Sequence, residues 1–203
     1  RSHHNTFFDE YELHVQGKDS VEDEIEETFN LLREMERPKL KTYVVSANHN
    51  DHLDKWLQLA NLKSDMLNAP FYLEAMAAKL RAIRNKDLDF NLLEWALNRI
   101  APVGAKFLGR RDSLVIGGIR LDQHFDIGSN GSRGSAQQFA KSGDKATGGH
   151  SHSAGIYDGA YQVGTFSKLL LDYVQGLSSW SHTFCIQYPN SKRCLITIKG
   201  GKY

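Results

Sequence analysis

Three short β-prone runs in this chain end in polar turns that carry histidine, and this recurrence limits the folds open to the chain more than any other feature. Lys41-Thr42-Tyr43-Val44-Val45-Ser46-Ala47 leads into Asn48-His49-Asn50-Asp51. Residues 113–121, interrupted by Gly117-Gly118, lead into Asp122-Gln123-His124. Lys145-Ala146-Thr147-Gly148-Gly149 leads into His150-Ser151-His152-Ser153. Side chains at the ends of neighbouring strands converge on one crevice, where α/β proteins bind their ligands. An α/β fold is therefore expected, with Asn48, His49, His124, His150 and His152 brought to one polar site.

Helical signals occupy much of the rest. Ser20 is an N-cap followed by Glu22, Asp23 and Glu24, which favour the positive end of a helix dipole, and Val21, Ile25, Phe29, Leu32 and Met35 recur at helical spacing before Pro38 closes the run. A second helix follows Asn50 or Asp51 and carries Leu53, Trp56, Leu57 and Leu59. A helical block spans roughly 70–84 and 89–99. Its Leu and Met stripes, with Trp56 and Trp95, are assigned to the core. The Gly117-Gly118 pair is expected to mark a bulge or close packing inside one strand. The loop 128–135 opens a short helix capped by Ser132 or Ser135. Residues 181–188 and 193–198 alternate apolar and polar side chains across Pro189-Asn190-Ser191-Lys192, the pattern of an antiparallel hairpin.

Composition excludes more than it selects. The 203 residues suit one α/β domain with a helical insertion, built on one main core. Its 25 basic and 24 acidic residues leave a formal charge of +1, so any attraction to a polyanion rests on local patches. Lys79, Arg81, Arg84, Lys86 and Arg99 make the helical block one such patch, either a solvated face or a DNA-backbone contact. Cys185 and Cys194 have no C-x-x-C spacing and are expected to be buried thiols, although they flank the hairpin and could face each other. No apolar run reaches the roughly 20 residues needed to span a bilayer, and no signal peptide opens the chain, so a soluble cytoplasmic protein without a membrane partner is expected.

Imidazoles and an Asn carbonyl oxygen are ligands for Mn²⁺, Fe or Zn²⁺, and two such ions about 3.5–4 Å apart can bind a phosphate and activate water for in-line attack. Ala47-Asn48-His49-Asn50, His124 and Gly149-His150-Ser151-His152 resemble, in order, the last three signature blocks of the calcineurin-like metallophosphoesterase superfamily. The full pattern of that superfamily is D-x-H, G-D-x-x-D, G-N-H-[D/E], H and G-H-x-H. The resemblance covers about residues 41–200. It implies a four-layer sandwich of mixed sheets flanked by helices, with a helical insertion over about 64–112. Within the superfamily, the insertion and the His-Ser-His-Ser-Ala-Gly segment are similar to DNases of T5-like bacteriophages that act early in degrading host DNA, which would place the protein in the host cytoplasm.

The resemblance also implies roles. Asn48, His124 and His150 would hold one divalent ion and His152 the other, with Mn²⁺ first among the candidates and Mg²⁺, Fe or Zn²⁺ as alternatives. His49 would donate to the scissile phosphate or protonate the leaving oxygen. Ala47 and Asn50 depart from the pattern, which leaves His49 with a weaker orienting partner, or with Asp51. Nothing upstream of Asn48 supplies D-x-H or the bridging Asp. Because the chain begins at Arg1 without Met, it is expected to be the C-terminal part of a longer enzyme, with that missing part as its partner, possibly within a homo-oligomer. Alone it is expected to hold at most one metal weakly and to lack phosphoesterase activity.

Each block has an ordinary explanation when taken alone: a surface His-x-His, a capped turn, a strand-end histidine. Their shared order carries the metal reading. His3 and His4 are weaker candidates for the substrate phosphate, as are His52 beside the Asn-His turn and Arg133 in the glycine-rich loop. The rival readings are a catalytically incomplete binding or oligomerisation module of the same fold, and an esterase for small phosphates.

Overall fold

The computed structural model describes residues 15, 17, 19–128, 131–169 and 177–202. His3, His4 and the aromatic N-terminal stretch lie outside them. The fold is mixed α/β, and its described residues fall into two compact units. One joins the residues up to Val44 with Asn48–Gly109, and the other joins Val45–Ala47 with the chain from Arg110 onward. Two separate buried clusters correspond to them, where one main core was expected.

The first unit is helical. Helix α1 (Val21–Met35) begins as anticipated: the Asp23 N–H donates to Ser20 Oγ at 3.1 Å, and three acidic residues fill the first turn. Helices α2 (Asp51–Leu59), α3 (Ala69–Arg84) and α4 (Leu92–Asn98) follow. They pack Val21, Ile25, Leu57, Phe71, Ala75, Leu92, Ala96 and Leu97 into one core, with Trp56 and Trp95 partly buried against it. The residues expected as an insertion thus share a core with α1 and α2. The buried Asn68 fastens α1 to the start of α3: its Oδ1 accepts from the Val21 N–H at 2.7 Å, and its Nδ2 donates to Asp19 O at 2.8 Å. Strand β1 (Tyr43–Val45) pairs with β2 (Lys106–Leu108).

One expectation about this unit fails. The Leu and Met stripes do not all enter the core, since Leu31, Met35, Leu73, Leu80 and Ile83 stay exposed. Helix α3 carries apolar residues on more than one face, and its neighbours cover one. The basic block is also divided. Lys79 pairs with Asp54 at 2.8 Å and Arg99 with Glu74 and Glu22 at 2.5 and 3.3 Å, whereas Arg81, Arg84 and Lys86 are exposed.

The second unit holds a five-stranded mixed sheet and a hairpin. Residues 113–121 do not form one strand. Gly117 and Gly118, at φ +59° and +75°, make a two-residue turn between β3 (Val115–Ile116) and β4 (Ile119–Arg120). Positive φ at both central positions is the geometry that favours a tight hairpin. A short helix α5 (Ala136–Ala140), capped by Ser135 Oγ on the Gln138 N–H at 3.2 Å, leads to β5 (Ala146–Gly148), parallel to β4. Strand β7 (Ala160–Gln162) is parallel to β5 and antiparallel to β6 (Gly155–Tyr157), in the order β3-β4-β5-β7-β6. Ala136, Ala146 and Ala160 are fully buried, and their small side chains let α5 lie close to the sheet. The hairpin of β8 (His182–Gln187) and β9 (Arg193–Ile198) forms as expected. Its register sets Cys185 opposite Leu195 and Cys194 opposite Ile186, so the cysteines do not face each other, and Cys194 is exposed rather than buried. Arg193 ties the hairpin to the sheet. It donates to the carbonyls of Ala146 and of Gly159, the latter at 2.8 Å, and lies over the Tyr161 ring at 3.9 Å.

Candidate functional site

Parallel neighbours end at the same edge of a sheet, and this brings His124 and His150 together. His124 follows β4 and His150 follows β5, and their rings meet edge to face with centroids 5.4 Å apart. A Cβ at Gly149 would lie 3.5 Å from the His124 ring, an ordinary van der Waals contact, so the backbone there runs close against that ring without the approach requiring glycine. The Nδ1 of His150 is buried and has no hydrogen-bond partner among the described residues, and the Nε2 of His124 is likewise shielded from solvent. Burial and the nearby Arg133 hold the His150 imidazole below its usual pKa, against the opposing pull of Asp126. A neutral imidazole with an available nitrogen is the form that binds a cation.

His152 has an aromatic neighbour of its own. Its ring packs on Trp180, with centroids 4.3 Å apart at 79°, and its carbonyl accepts from the Ser181 N–H at 3.1 Å. Both histidines of the turn have left-handed backbones, at φ +95° for His150 and +63° for His152. Such non-glycine conformations cost on the order of 1–3 kcal/mol each and persist where the surroundings enforce them. Here the buried Gln162, at the end of β7, donates to both Ser151 Oγ and the Ser153 carbonyl, and Ser153 Oγ bonds Ser179 Oγ at 2.6 Å.

A carboxylate supports the His124 side. Asp126, with its side chain 7% exposed, pairs with Arg110 through both oxygens at 2.8 and 2.7 Å. Burial alone would raise its pKa, but the Arg110 hydrogen bond and the charges of Arg110 and His124 outweigh it and hold the carboxyl below its usual range. Asp122 is also lowered: burial is outweighed by hydrogen bonds from Gln123, the Leu114 N–H and Ser113, and by the charge of Arg120. Gln162, Trp180 and the Arg110–Asp126 pair were not anticipated. Only Asp126, two residues after His124, carried a local hint.

In the helical unit, Asn48 and His49 form the turn before α2. Asn50 stands at the N-cap position without a capping side-chain bond. The Asn48 Oδ1 is buried and has no hydrogen-bond partner among the described residues, an acceptor suited to a cation. His49 is exposed, and His52 is buried with its ring 5.0 Å from that of His49. Arg133 is exposed in the glycine-rich loop and close enough to His150 to affect its charge.

Over its whole length the chain is similar to Protein A1 of Escherichia phage T5. The two are 40% identical over 209 residues, which cover 100% of this chain and 37% of Protein A1. The chain is therefore related to a T5 phage protein and spans little more than a third of its length. No family model matches the chain, and no solved structure matches it. Among the described residues, no helix is long and apolar enough to cross a membrane.

The donor set fits a divalent ion only in part. Within the unit that carries the mixed sheet, the two adjoining imidazoles are the correct donor type for an ion. A pair of ions needs bridging carboxylates, and among the described residues no group of three or more His, Cys, Asp or Glu converges as such a centre would.

Proposed function

We propose that this chain contributes the histidine part of a metal-dependent phosphodiesterase acting on DNA, related to the first-step-transfer DNases of T5-like phages and built on the metallophosphoesterase sandwich. The observation that carries this reading is the His124–His150 pair, two imidazoles at adjoining strand ends with a buried, unbonded nitrogen on His150. Similarity to Protein A1 of phage T5 agrees with a phage setting. Divalent ions, Mn²⁺ first among them, would supply charge neutralisation at the phosphate and activation of water.

The residues divide the remaining work. His150, held toward its neutral form, and His124 present imidazole nitrogens, and His152, turned against Trp180, is reserved for a separate ligand role. Asn48 offers its carbonyl oxygen, and the exposed His49 can pass a proton to the leaving oxygen. Bridging carboxylates come from outside the described residues.

The test is nuclease activity of the longer protein with and without His150. His150→Ala should lower Mn²⁺-dependent DNA cleavage by more than about 100-fold, because even outer-shell partners of a metal ligand are worth about 10–100-fold. Unchanged cleavage would overturn the reading. Intact partner binding by a protein that never cleaves DNA would favour the incomplete binding module instead.

A further inference from the structure

A cavity of about 340 Å³ has His124 in its wall, together with Arg110, Gln123, Asp126, Gln138 and Phe139, and the metal reading uses only the imidazole. Its size is at the small end of ligand pockets, enough for one nucleoside-sized group and too little for a length of polymer.

Its charges decide which part of a nucleotide it admits. The one guanidinium, Arg110, is held through both nitrogens by Asp126, and Asp122 adds a second carboxylate to the wall. Asp122 in turn pairs with Arg120 at 3.2 Å. An anionic phosphate would meet two carboxylates against one neutralised cation, so the cavity disfavours it. A neutral group with donors and acceptors at its edge meets no such penalty. Gln123 spends its Nε2 on Asp122 Oδ1 at 2.9 Å, which leaves its carbonyl oxygen as an acceptor. Gln138 accepts from Ser132 Oγ at 3.2 Å, which leaves its amide nitrogen as a donor. Phe139, packed on Phe125 at 5.2 Å, adds an apolar ring to the wall. A side-chain donor, a side-chain acceptor and an aromatic ring make up the set that recognises the edge and face of a nucleobase.

We infer that this cavity takes a single unstacked nucleobase of the DNA strand, held by the Gln123 and Gln138 amides against Phe139 beside His124. The inference rests on the DNA reading above and specifies its substrate as a strand with an accessible base. Extrusion of a base is least costly where the strand is single or already unpaired, so single-stranded or gapped DNA is the preferred form.

Binding of two ligands by the 203-residue chain tests this: a single-stranded oligodeoxynucleotide and an oligomer of equal length made only of abasic deoxyribose phosphates, both without divalent metal. The base-bearing strand should bind about tenfold more tightly, what one or two net hydrogen bonds supply. Gln138→Ala should erase that difference while leaving the abasic oligomer's affinity and the thermal midpoint unchanged; Gln123→Ala should erase it too, with a lower thermal midpoint because the buried Asp122 loses its amide partner. Equal affinity for the two ligands, or variants that weaken both alike, would overturn the base pocket while leaving the DNA reading in place. No binding of either ligand would overturn the DNA reading and the pocket together.

Discussion

His150 combines a left-handed backbone on a non-glycine residue with a buried imidazole nitrogen that has no hydrogen-bond partner among the described residues. The backbone is separable from the side chain by experiment. Glycine ordinarily destabilises relative to alanine, but at φ +95° the alanine Cβ carries a penalty of about 1–2 kcal/mol that glycine escapes. His150→Gly should therefore be more stable than His150→Ala by about 1 kcal/mol in urea unfolding, the reverse of the usual order. Equal stabilities would mean that the turn does not hold this conformation. Arg110 makes the second residue-scale prediction. The lowered carboxyls of Asp126 and Asp122 contribute stability that is fully present above the unfolded carboxylate value of about 3.9 and is lost as pH falls through their lower folded values. The native protein should thus lose stability below about pH 4. Arg110→Ala, which leaves a buried carboxylate without its partner, should cost roughly 1–3 kcal/mol at neutral pH. Acid titration of the variant should show less of the loss below pH 4, because the support that depressed Asp126 is gone.

The β3–β4 turn separates two glycines that look alike in the sequence. A Cβ on Gly117 would crowd Ser191 Oγ at 2.5 Å, and that hydroxyl donates to the Gly117 carbonyl at 2.7 Å; a Cβ on Gly118 would meet nothing. Both substitutions pay for positive φ, so Gly118→Ala should cost about 1 kcal/mol in thermal unfolding and Gly117→Ala measurably more. At this scale the sequence was legible where elements were long or well capped. Ser20 capped α1, and six alternating residues on each side of Pro189-Asn190-Ser191-Lys192 made the β8–β9 hairpin readable. Two-residue strands have too little alternation to read, and so β3 and β4 merged into one expected strand. Strand β6 was missed although Asp158-Gly159, between Tyr157 and Ala160, is the short-range hairpin signal. Of the candidate site, the order of the histidine blocks was legible, and so was a strand end for His124 and for His150. The supports were not: Trp180 lies 28 positions from His152, and nothing local joins Gln162 to the serines it holds.

At the scale of the whole molecule, two compact units carry different parts of the expected chemistry. The helical unit holds Asn48 and His49, and the unit with the mixed sheet holds His124, His150 and His152. The expected sandwich places them in one enzyme together with carboxylates that the described residues do not bring to a metal centre. This chain should hold one ion through imidazoles, and among its described residues no carboxylates converge to bridge a pair. Mn²⁺ titration of the 203-residue chain, followed by electron paramagnetic resonance, tests this most directly. At most one weakly held ion should bind, and His150→Ala should abolish that binding, with no cleavage of DNA by either protein. Two tightly held ions with full nuclease activity in the isolated chain, or Mn²⁺ binding indifferent to His150→Ala, would contradict it.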